Sequence, residues 1–200
     1  PITQNPLDAW QEYPEPRRYY SGYHGYWPVS SSRVDHRFGT DEDLHKLVET
    51  AHDKEINLYL DYVCNHVHRN HPIYQNHPEW ATDFFLEDSV ANIRIWEEQR
   101  LTTWFDEFLP TLDFSQSEVV ALQSDSAMYW IKKFGLDGFR HDATKHIHTP
   151  FWRTLTRKLK EEVVAGEGRP IYQIGETYGS RELIKSYISS GLLDAQFDFN

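Results

Sequence analysis

The sequence predicts an α/β fold with a parallel sheet, because strand and helix signals alternate along most of the chain. A (β/α) barrel and a doubly wound sheet both produce such an alternation. No glycine-rich phosphate loop follows a predicted strand, which counts against a nucleotide-binding doubly wound fold. A complete barrel needs roughly 250 residues. The 200 residues of this chain carry four strand-like segments, so we expect part of a barrel.

The N-terminal part is predicted to form a long loop, a helix and a strand. Residues 1–38 show little periodicity and many Pro, Gly and Tyr residues, and a loop of such length is usually functional. Thr40 is expected to cap a helix, with Asp43 three positions later completing the cap. The apolar face of this helix is made by Leu44, Leu47, Val48 and Ala51. Residues 56–63, INLYLDYV, are β-rich and largely apolar, which predicts a buried strand.

An irregular segment and further helices and strands are predicted after that strand. Residues 66–114 have weak periodicity, so we expect irregular structure with a short helix near 93–101. A clear helical pattern follows over 115–135, with Ser115 or Ser117 as its N-cap and Gly135 at its end. The remaining predicted elements are a strand over 136–141, a helix over 149–164, a strand over 170–176, a helix over 181–189 and a strand over 193–199.

Charge and composition exclude several classes of partner. The formal net charge of −11 argues against nucleic acid or an anionic membrane. The chain shows no signal peptide and no apolar run of membrane length, and its single cysteine excludes an internal disulfide. Aromatic residues make up 15 %, which suits either a well-filled core or a sugar-binding cleft. Because the chain begins with Pro and ends on a predicted strand, we expect it to be a piece of a longer protein.

Polar side chains cluster at the carboxyl ends of three predicted strands. Because side chains alternate along a strand, Arg140 and Asp142 face the same way. In parallel barrels the active site lies at this edge of the sheet, so we expect the polar groups to converge on one pocket. The clusters are Asp61, Asn65 and His66 in DYVCNH, then Arg140, Asp142, Lys145 and His146 in FRHDATKH, then Glu176 in GETYG.

Asp142 and Glu176 stand at the ends of consecutive predicted strands. Arg140 beside Asp142 favours the ionised carboxylate, which suits a nucleophile. Glu176 has no basic neighbour in sequence, and a partly desolvated carboxyl group can stay protonated and act as a general acid. One ionised and one protonated carboxyl group are what glycoside cleavage needs. Arg140 and Asp142 alone would also fit a buried structural ion pair, but the two other polar strand ends favour catalysis.

These segments resemble those of the α-amylase family of glycoside hydrolases (family 13). DYVCNH resembles its D-x-x-x-N-H segment, GFRHDATKH its G-x-R-x-D-x-x-K-H segment, and GET its glutamate segment. GYHGYWPVSSSRVDHRFGTDEDLHKLV resembles the stretch before them, so the resemblance covers nearly the whole chain in the right order. It implies part of a (β/α)8 TIM barrel formed by residues 1–68 and 111–200. It also implies a small irregular domain inserted after the barrel's third strand at residues 69–110, called the insertion below.

The resemblance also implies an enzyme acting on α-1,4-linked glucans or maltooligosaccharides, with retention through a covalent glycosyl-enzyme intermediate. Asp142 would be the nucleophile and Glu176 the acid/base, with Arg140 orienting Asp142. Tyr26 would stack on the sugar at the cleavage point. His66 would form a hydrogen bond with that sugar. Lys145 and His146 would line the next sugar site toward the reducing end. Asp61 and Asn65 would support the site.

No organic cofactor is implied, and structural calcium is not favoured. Asn65 and the His146 carbonyl match calcium positions of the family. Where calcium-dependent members read Pro-Asp-Leu, this chain reads LPTLD, and the hydroxyl of Thr111 is a poor substitute for a carboxylate on a hard cation. The family's third catalytic-site Asp would lie beyond residue 200. A polysaccharide substrate favours an extracytoplasmic location, and the oligomeric state is not indicated.

Several alternatives stand beside this interpretation. A transglycosylase or isomerase of the same family would use the same carboxyl groups, while a non-catalytic carbohydrate-binding relative would usually have lost one. A zinc site is not expected from the histidines, because their spacings do not repeat on a helix. These histidines are His66, His68, His71 and His77. Trp80, Trp96 and Trp104 are expected to form the core of the insertion, although one could stack on substrate.

Overall fold

The structure, a computed structural model, describes residues 1–6, 11–14 and 17–199. After residues 1–6 come two antiparallel strands, β1 (Gln11–Pro14) and β2 (Arg17–Tyr20), and then a short 3-10 helix, Gly22–His24. The prediction of a loop throughout residues 1–38 is wrong at these two strands. With four residues each, they are too short to display a two-residue periodicity. The predicted loop also covers residues 7–10, 15 and 16, which lie outside the described residues.

Helix α1 (Asp41–His52) begins where the sequence predicts. The Thr40 hydroxyl accepts from the Asp43 backbone N–H at 3.3 Å, and the Asp43 carboxylate accepts from the Thr40 backbone N–H at 2.9 Å. This reciprocal capping box satisfies two backbone donors at the helix start. Leu44, Val48 and Ala51 are buried, whereas Leu47 is exposed, so the predicted apolar face is confirmed except at Leu47.

Four parallel strands form the sheet that carries the site. They are β3 (Tyr59–Tyr62), β4 (Gly138–His141), β5 (Tyr172–Gly175) and β6 (Ala195–Gln196), hydrogen-bonded in that order. Each lies inside a predicted strand but is shorter. Gly138 lets β4 and β5 approach closely, because a Cβ atom at this position would lie 1.8 Å from the Tyr172 carbonyl oxygen. The α/β class is confirmed.

Helices connect these strands and cover the sheet. They are α2 (Pro72–Asn76), α3 (Ser117–Phe134), α4 (Thr149–Lys158), α5 (Ala165–Glu167) and α6 (Arg181–Ser186), with a 3-10 helix at Pro78–Trp80 and a π-helical stretch at Leu159–Val164 joining α4 to α5. Gly135 ends α3 in a left-handed conformation, as predicted. The N-cap of α3 is Gln116, so both serine predictions are wrong. The Ser115 hydroxyl instead donates to Asp113 at 2.6 Å.

The insertion has little regular structure, and the helix predicted near 93–101 does not form. The Arg94 backbone N–H donates to the Trp104 carbonyl at 2.9 Å, and the Ile95 N–H donates to the Thr103 hydroxyl at 2.9 Å. These donors therefore pair with the end of the insertion rather than within a helix. The limits 69–110 of the inserted domain stay a prediction.

The main core lies between the sheet and its helices. Large aromatic side chains of α3, α4 and β4 fill it, including the fully buried Trp130, Trp152, Phe139 and Phe151. A separate apolar cluster of Trp27, Phe108 and Leu109 underlies the site from the insertion side. Among the described residues, no helix combines the length and the apolar character needed to cross a membrane.

Candidate active site

The Arg140 guanidinium joins carboxyl groups from three neighbouring strands. Its Nη1 donates to Asp61 Oδ1 at 2.6 Å and to Asp142 Oδ1 at 2.9 Å, and its Nη2 donates to Glu176 Oε2. Asp61 and Arg140 are register partners in β3 and β4, so their side chains leave the sheet on the same face. The convergence predicted from the strand ends is therefore present for these four residues.

Backbone hydrogen bonds hold both candidate catalytic residues just beyond their strands. The Asp142 N–H donates to the Tyr62 carbonyl at 3.0 Å, and the Glu176 N–H donates to the His141 carbonyl at 2.9 Å. Ala143, next to Asp142, has a φ of +52°, a left-handed conformation that is uncommon for a residue other than glycine. Such backbone outliers occur preferentially at functional sites, where the surrounding structure enforces them.

Burial, Arg140 and their mutual interaction together set the pKa values of the two carboxyl groups. Burial raises the pKa of Asp142, and the Arg140 guanidinium opposes that rise. Burial also raises the pKa of Glu176 against the effect of Arg140, and the charge of Asp142 raises it further. The hydrogen bond between the two groups lowers the pKa of Asp142 and raises that of Glu176. The interaction therefore moves the pKa of Glu176 upward relative to that of Asp142.

Tyr26 and His66 form one wall beside this pair. The Tyr26 hydroxyl donates to Asp61 Oδ2 at 2.8 Å, and burial and this carboxylate raise the pKa of Tyr26 to about 12. His66 Nε2 donates to the Tyr26 carbonyl at 3.1 Å, and the His66 ring stacks on Phe105 at a centroid distance of 4.5 Å. Burial lowers the pKa of His66 to about 4, so the imidazole is neutral at pH 7. His66 thus fixes the backbone of Tyr26 as well as lining the cleft.

Lys145 and His146 form the opposite wall, together with residues of the insertion. The buried Lys145 ammonium donates to Glu97 Oε1 at 2.6 Å. His146 Nδ1 donates to the Arg100 carbonyl at 2.7 Å, and burial lowers the pKa of His146 to about 4. The ring is therefore neutral at pH 7, and its Nε2 is the hydrogen-bond acceptor.

Two cavities meet at the carboxyl pair. The first, about 520 Å³ and called the tyrosine cavity, is lined by Tyr26, His66 and Arg140 among others. The second, about 360 Å³ and called the lysine cavity, is lined by Lys145, His146 and Tyr178 among others. Both cavities share a common set of four residues, which are Trp96, Phe105, Asp142 and Glu176. A chain-like ligand that crosses from one cavity to the other passes the two carboxyl groups.

Asn65 does not line either cavity but lies beneath the site. Its side chain is fully buried, and neither polar atom of its amide has a hydrogen-bond partner. The Thr111 hydroxyl donates to the Thr103 carbonyl at 2.7 Å and so is engaged within the protein. The described residues contain no group of three or more His, Cys, Asp or Glu side chains suited to a metal. An amide, a hydroxyl and a carbonyl without a carboxylate do not fit a calcium site.

The histidines outside the cleft have local structural roles. His71 Nδ1 accepts from the Ile73 backbone N–H at 3.0 Å and caps α2, while its Nε2 contacts the Ser31 hydroxyl at 3.1 Å. His77 stacks on Trp80 with a centroid distance of 4.0 Å. His71 thus caps a helix, and His77 packs against an aromatic ring.

Sequence reasoning missed several residues of the cleft. Trp96 lines both cavities, which fits the alternative of a tryptophan that contacts substrate rather than the expected core position. Glu97, Phe105 and Tyr178 have no local pattern that marks them as cleft residues, although Tyr178 follows Glu176 by two positions. Their roles arise from the path of the insertion across the strand ends, which a linear pattern does not display.

Comparison with known proteins places the whole chain in one family. A family profile described as alpha amylase, catalytic domain, matches residues 1–200. Alpha-amylase 2 of Dictyoglomus thermophilum is 30 % identical over 183 residues, which cover 90 % of this chain and 30 % of that protein. The intracellular maltogenic amylase of Bacillus subtilis is 26 % identical over 161 residues, covering 80 % of this chain and 26 % of that protein. The chain thus spans less than a third of either curated relative.

A solved structure gives the same result for the fold. The alpha-amylase of Geobacillus thermoleovorans, solved in complex with acarbose, aligns with a TM-score of 0.77 and 28 % identity, covering 100 % of this chain and 40 % of that one. The four parallel strands are accordingly part of a (β/α)8 barrel, as predicted. With its fold and its sequence matched along all 200 residues, the chain belongs to the α-amylase family of glycoside hydrolases.

Proposed function

We propose that the protein containing this chain is a retaining glycoside hydrolase that cleaves α-1,4-linked glucans or maltooligosaccharides. The observation that carries the proposal is the position of Asp142 and Glu176 at the junction of the two cavities. A glucan chain occupying both cavities presents one glycosidic bond to both carboxyl groups. The names of the relatives, alpha-amylase and maltogenic amylase, support this substrate class.

The first chemical step is formation of a glycosyl-enzyme. A carboxylate oxygen of Asp142 attacks the anomeric carbon and forms a C–O bond, while the bond from that carbon to the glycosidic oxygen breaks. The leaving oxygen takes the proton from Glu176, whose pKa is raised by burial and by Asp142. Arg140 holds Asp142 at 2.9 Å throughout and limits its freedom to rotate.

The second step releases the sugar. Glu176, now ionised, takes a proton from a water molecule, whose oxygen attacks the anomeric carbon as the bond to Asp142 breaks. Two inversions give net retention of configuration. Retaining enzymes hold their carboxyl groups about 5 Å apart, without a water between them. The direct interaction of Asp142 with Glu176, and their common partner Arg140, support this spacing rather than the wider inverting one.

The two cavities divide the substrate between them. In the tyrosine cavity the Tyr26 ring stacks on the sugar whose bond is cleaved, and His66 supports that ring through the Tyr26 backbone. In the lysine cavity Lys145 and His146 contact the sugar on the leaving side. The aromatic faces of Trp96 and Tyr178 line this second cavity and would also suit a sugar acceptor, so a transglycosylase is the second candidate.

The test is Asp142→Asn in the complete protein, with starch, maltotriose and pullulan as substrates and chromatography of the products. We expect a loss of about 10³-fold or more in kcat, because the nucleophile is removed while its shape is kept. Asp125→Asn is the matched control, since Asp125 is exposed on α3 and lines neither cavity. Hydrolysis by Asp142→Asn within tenfold of wild type would rule out the proposal. Longer oligosaccharide products in wild type would favour transfer over hydrolysis.

A further inference from the structure

Arg100 of the insertion forms hydrogen bonds with the loop that follows Asp142. Its Nη1 donates to the Lys145 carbonyl at 2.5 Å and to the Tyr187 hydroxyl at 3.1 Å. Its own carbonyl accepts from His146 Nδ1 at 2.7 Å. One residue therefore binds two consecutive residues of the loop, through its side chain and through its backbone.

Tyr187 and Glu97 add further contacts to Lys145, and together with Arg100 they form a ring of hydrogen bonds. The Tyr187 hydroxyl also donates to the Lys145 carbonyl, at 3.3 Å, so the carbonyl receives two donors. Glu97, three residues before Arg100, holds the Lys145 ammonium at 2.6 Å. Hydrogen bonds to a charged group are about twice as strong as neutral ones, so the guanidinium is a strong link, beside the ion pair of Lys145 with the solvent-exposed Glu97.

The resemblance to the family implies a cation at three other positions of the chain. Asn65 and Thr111 flank the insertion at its two ends, and His146 supplies the third matching position. The three positions offer no carboxylate, and the Thr111 hydroxyl is already engaged with Thr103. The Arg100 guanidinium, by contrast, brings a permanent positive charge to the carbonyl adjacent to His146.

We propose that Arg100 is a positioning residue that fastens the insertion to the loop of Lys145 and His146 without a bound metal ion. The consequence is a fixed wall for the lysine cavity. Holding the Lys145 backbone and the His146 ring in place orients both side chains toward a sugar on the leaving side. This consequence for substrate rests on the proposed function, whereas the fastening itself does not.

The attachment of the insertion to the loop of Lys145 and His146 is tested by hydrogen exchange on the complete protein. This measurement does not depend on enzymatic activity. The reporters are the amides of His146 and Ile147, bonded to Ala143 and Thr144 at 2.9 and 3.2 Å, and the amide of Thr103, bonded to Gln99 at 2.8 Å. In Arg100→Met we expect these amides to exchange roughly tenfold faster or more, with Arg100→Lys in between. Arg69→Met is the matched control, because Arg69 lies in the same insertion with an exposed side chain.

Exchange in wild type is also compared with and without calcium. In wild type, exchange at these amides should be the same with a calcium chelator and with added calcium. Unchanged exchange in Arg100→Met, or protection in wild type that disappears with chelator, overturns the proposal. Slower exchange in Arg100→Met would overturn it equally.

Kinetics then test the consequence for substrate. With a maltooligosaccharide that fills both cavities, Arg100→Met should raise KM about tenfold. An aryl maltoside has a leaving group that makes few contacts in the lysine cavity. With this substrate, kcat of Arg100→Met should stay within about threefold of wild type. Equal losses on both substrates would indicate general disruption and count against positioning. If wild type cleaves neither substrate, the proposed function fails, and the exchange experiment still decides the role of Arg100.

Discussion

Arg140 and Glu176 are joined by a charge-assisted hydrogen bond across two neighbouring parallel strands. The same guanidinium holds Asp142 and Asp61, so one cation serves three carboxyl groups. Its charge lowers the pKa of both Asp142 and Glu176 and thereby opposes the effect of burial. The protonation of the site depends on this balance, and the first two predictions follow from it.

Glu176→Gln should slow cleavage of natural glucans by about 10²–10⁴-fold, because the general acid is lost. A maltosyl fluoride needs no proton on its leaving group, so formation of the glycosyl-enzyme from it should stay within about tenfold of wild type. Added azide should then rescue turnover by attacking the intermediate without a base. Glu118→Gln, an exposed change on α3, is the control. Equal losses on fluoride and on starch would contradict the acid/base role.

Asp61→Asn should move the pH optimum of kcat/KM to lower pH. The proposed mechanism requires an ionised Asp142 and a protonated Glu176, so activity should be lost when pH falls through the first pKa and when it rises through the second. The charge of Asp61 raises both pKa values, and removing that charge lowers both. Both limbs of the profile should therefore shift down. The control is Asp83→Asn, an exposed change in the insertion, which should leave both limbs of the pH profile in place. An upward shift of the limbs in Asp61→Asn would contradict the proposed effect of Asp61 on the two pKa values.

Tyr26→Phe and Tyr26→Ala separate the ring of Tyr26 from its hydroxyl. The first change removes the 2.8 Å hydrogen bond to Asp61 and keeps the aromatic face, so kcat/KM should fall only about fivefold. The second removes the aromatic face that we propose stacks on the sugar, and kcat/KM should fall by roughly 100-fold. Tyr23→Ala alters an exposed tyrosine nearby and should have little effect. Similar losses in both Tyr26 variants would assign the effect to the hydroxyl.

Much of the fold could be read from local sequence, since its signals act over a few residues. The capping pair Thr40 and Asp43 and the terminator Gly135 have the positions that the pattern indicates. Arg140 and Asp142 share a strand face because side chains alternate, and the ladder of parallel strands then brings Glu176 to them. For these residues, local geometry and strand order together are sufficient.

The parts that escaped prediction depend on contacts between distant segments. Arg100 contacts Lys145 across 45 positions, and Glu97 contacts it across 48, and no local pattern links these residues. In place of the helix expected near 93–101, the chain forms turns, and the Arg94 N–H pairs with the Trp104 carbonyl ten positions later. The same pairing accompanies the turn that brings Trp96 into the cleft rather than the core.

Thr111→Asp should make the thermal stability of the protein depend on calcium. Thr111 is buried, and the new carboxylate would lie close to the unpartnered amide of Asn65, since the adjacent Leu112 N–H donates to the Asn65 carbonyl at 2.9 Å. Without a cation, a buried charge destabilises the fold, so Tm in chelator should fall below that of wild type. Calcium at 100 times its Kd would return about 2.7 kcal/mol. Thr111→Asn has the same shape without the charge and should not respond. A wild-type Tm that rises with calcium as much as the Thr111→Asp value would show that the natural donor set already binds the ion.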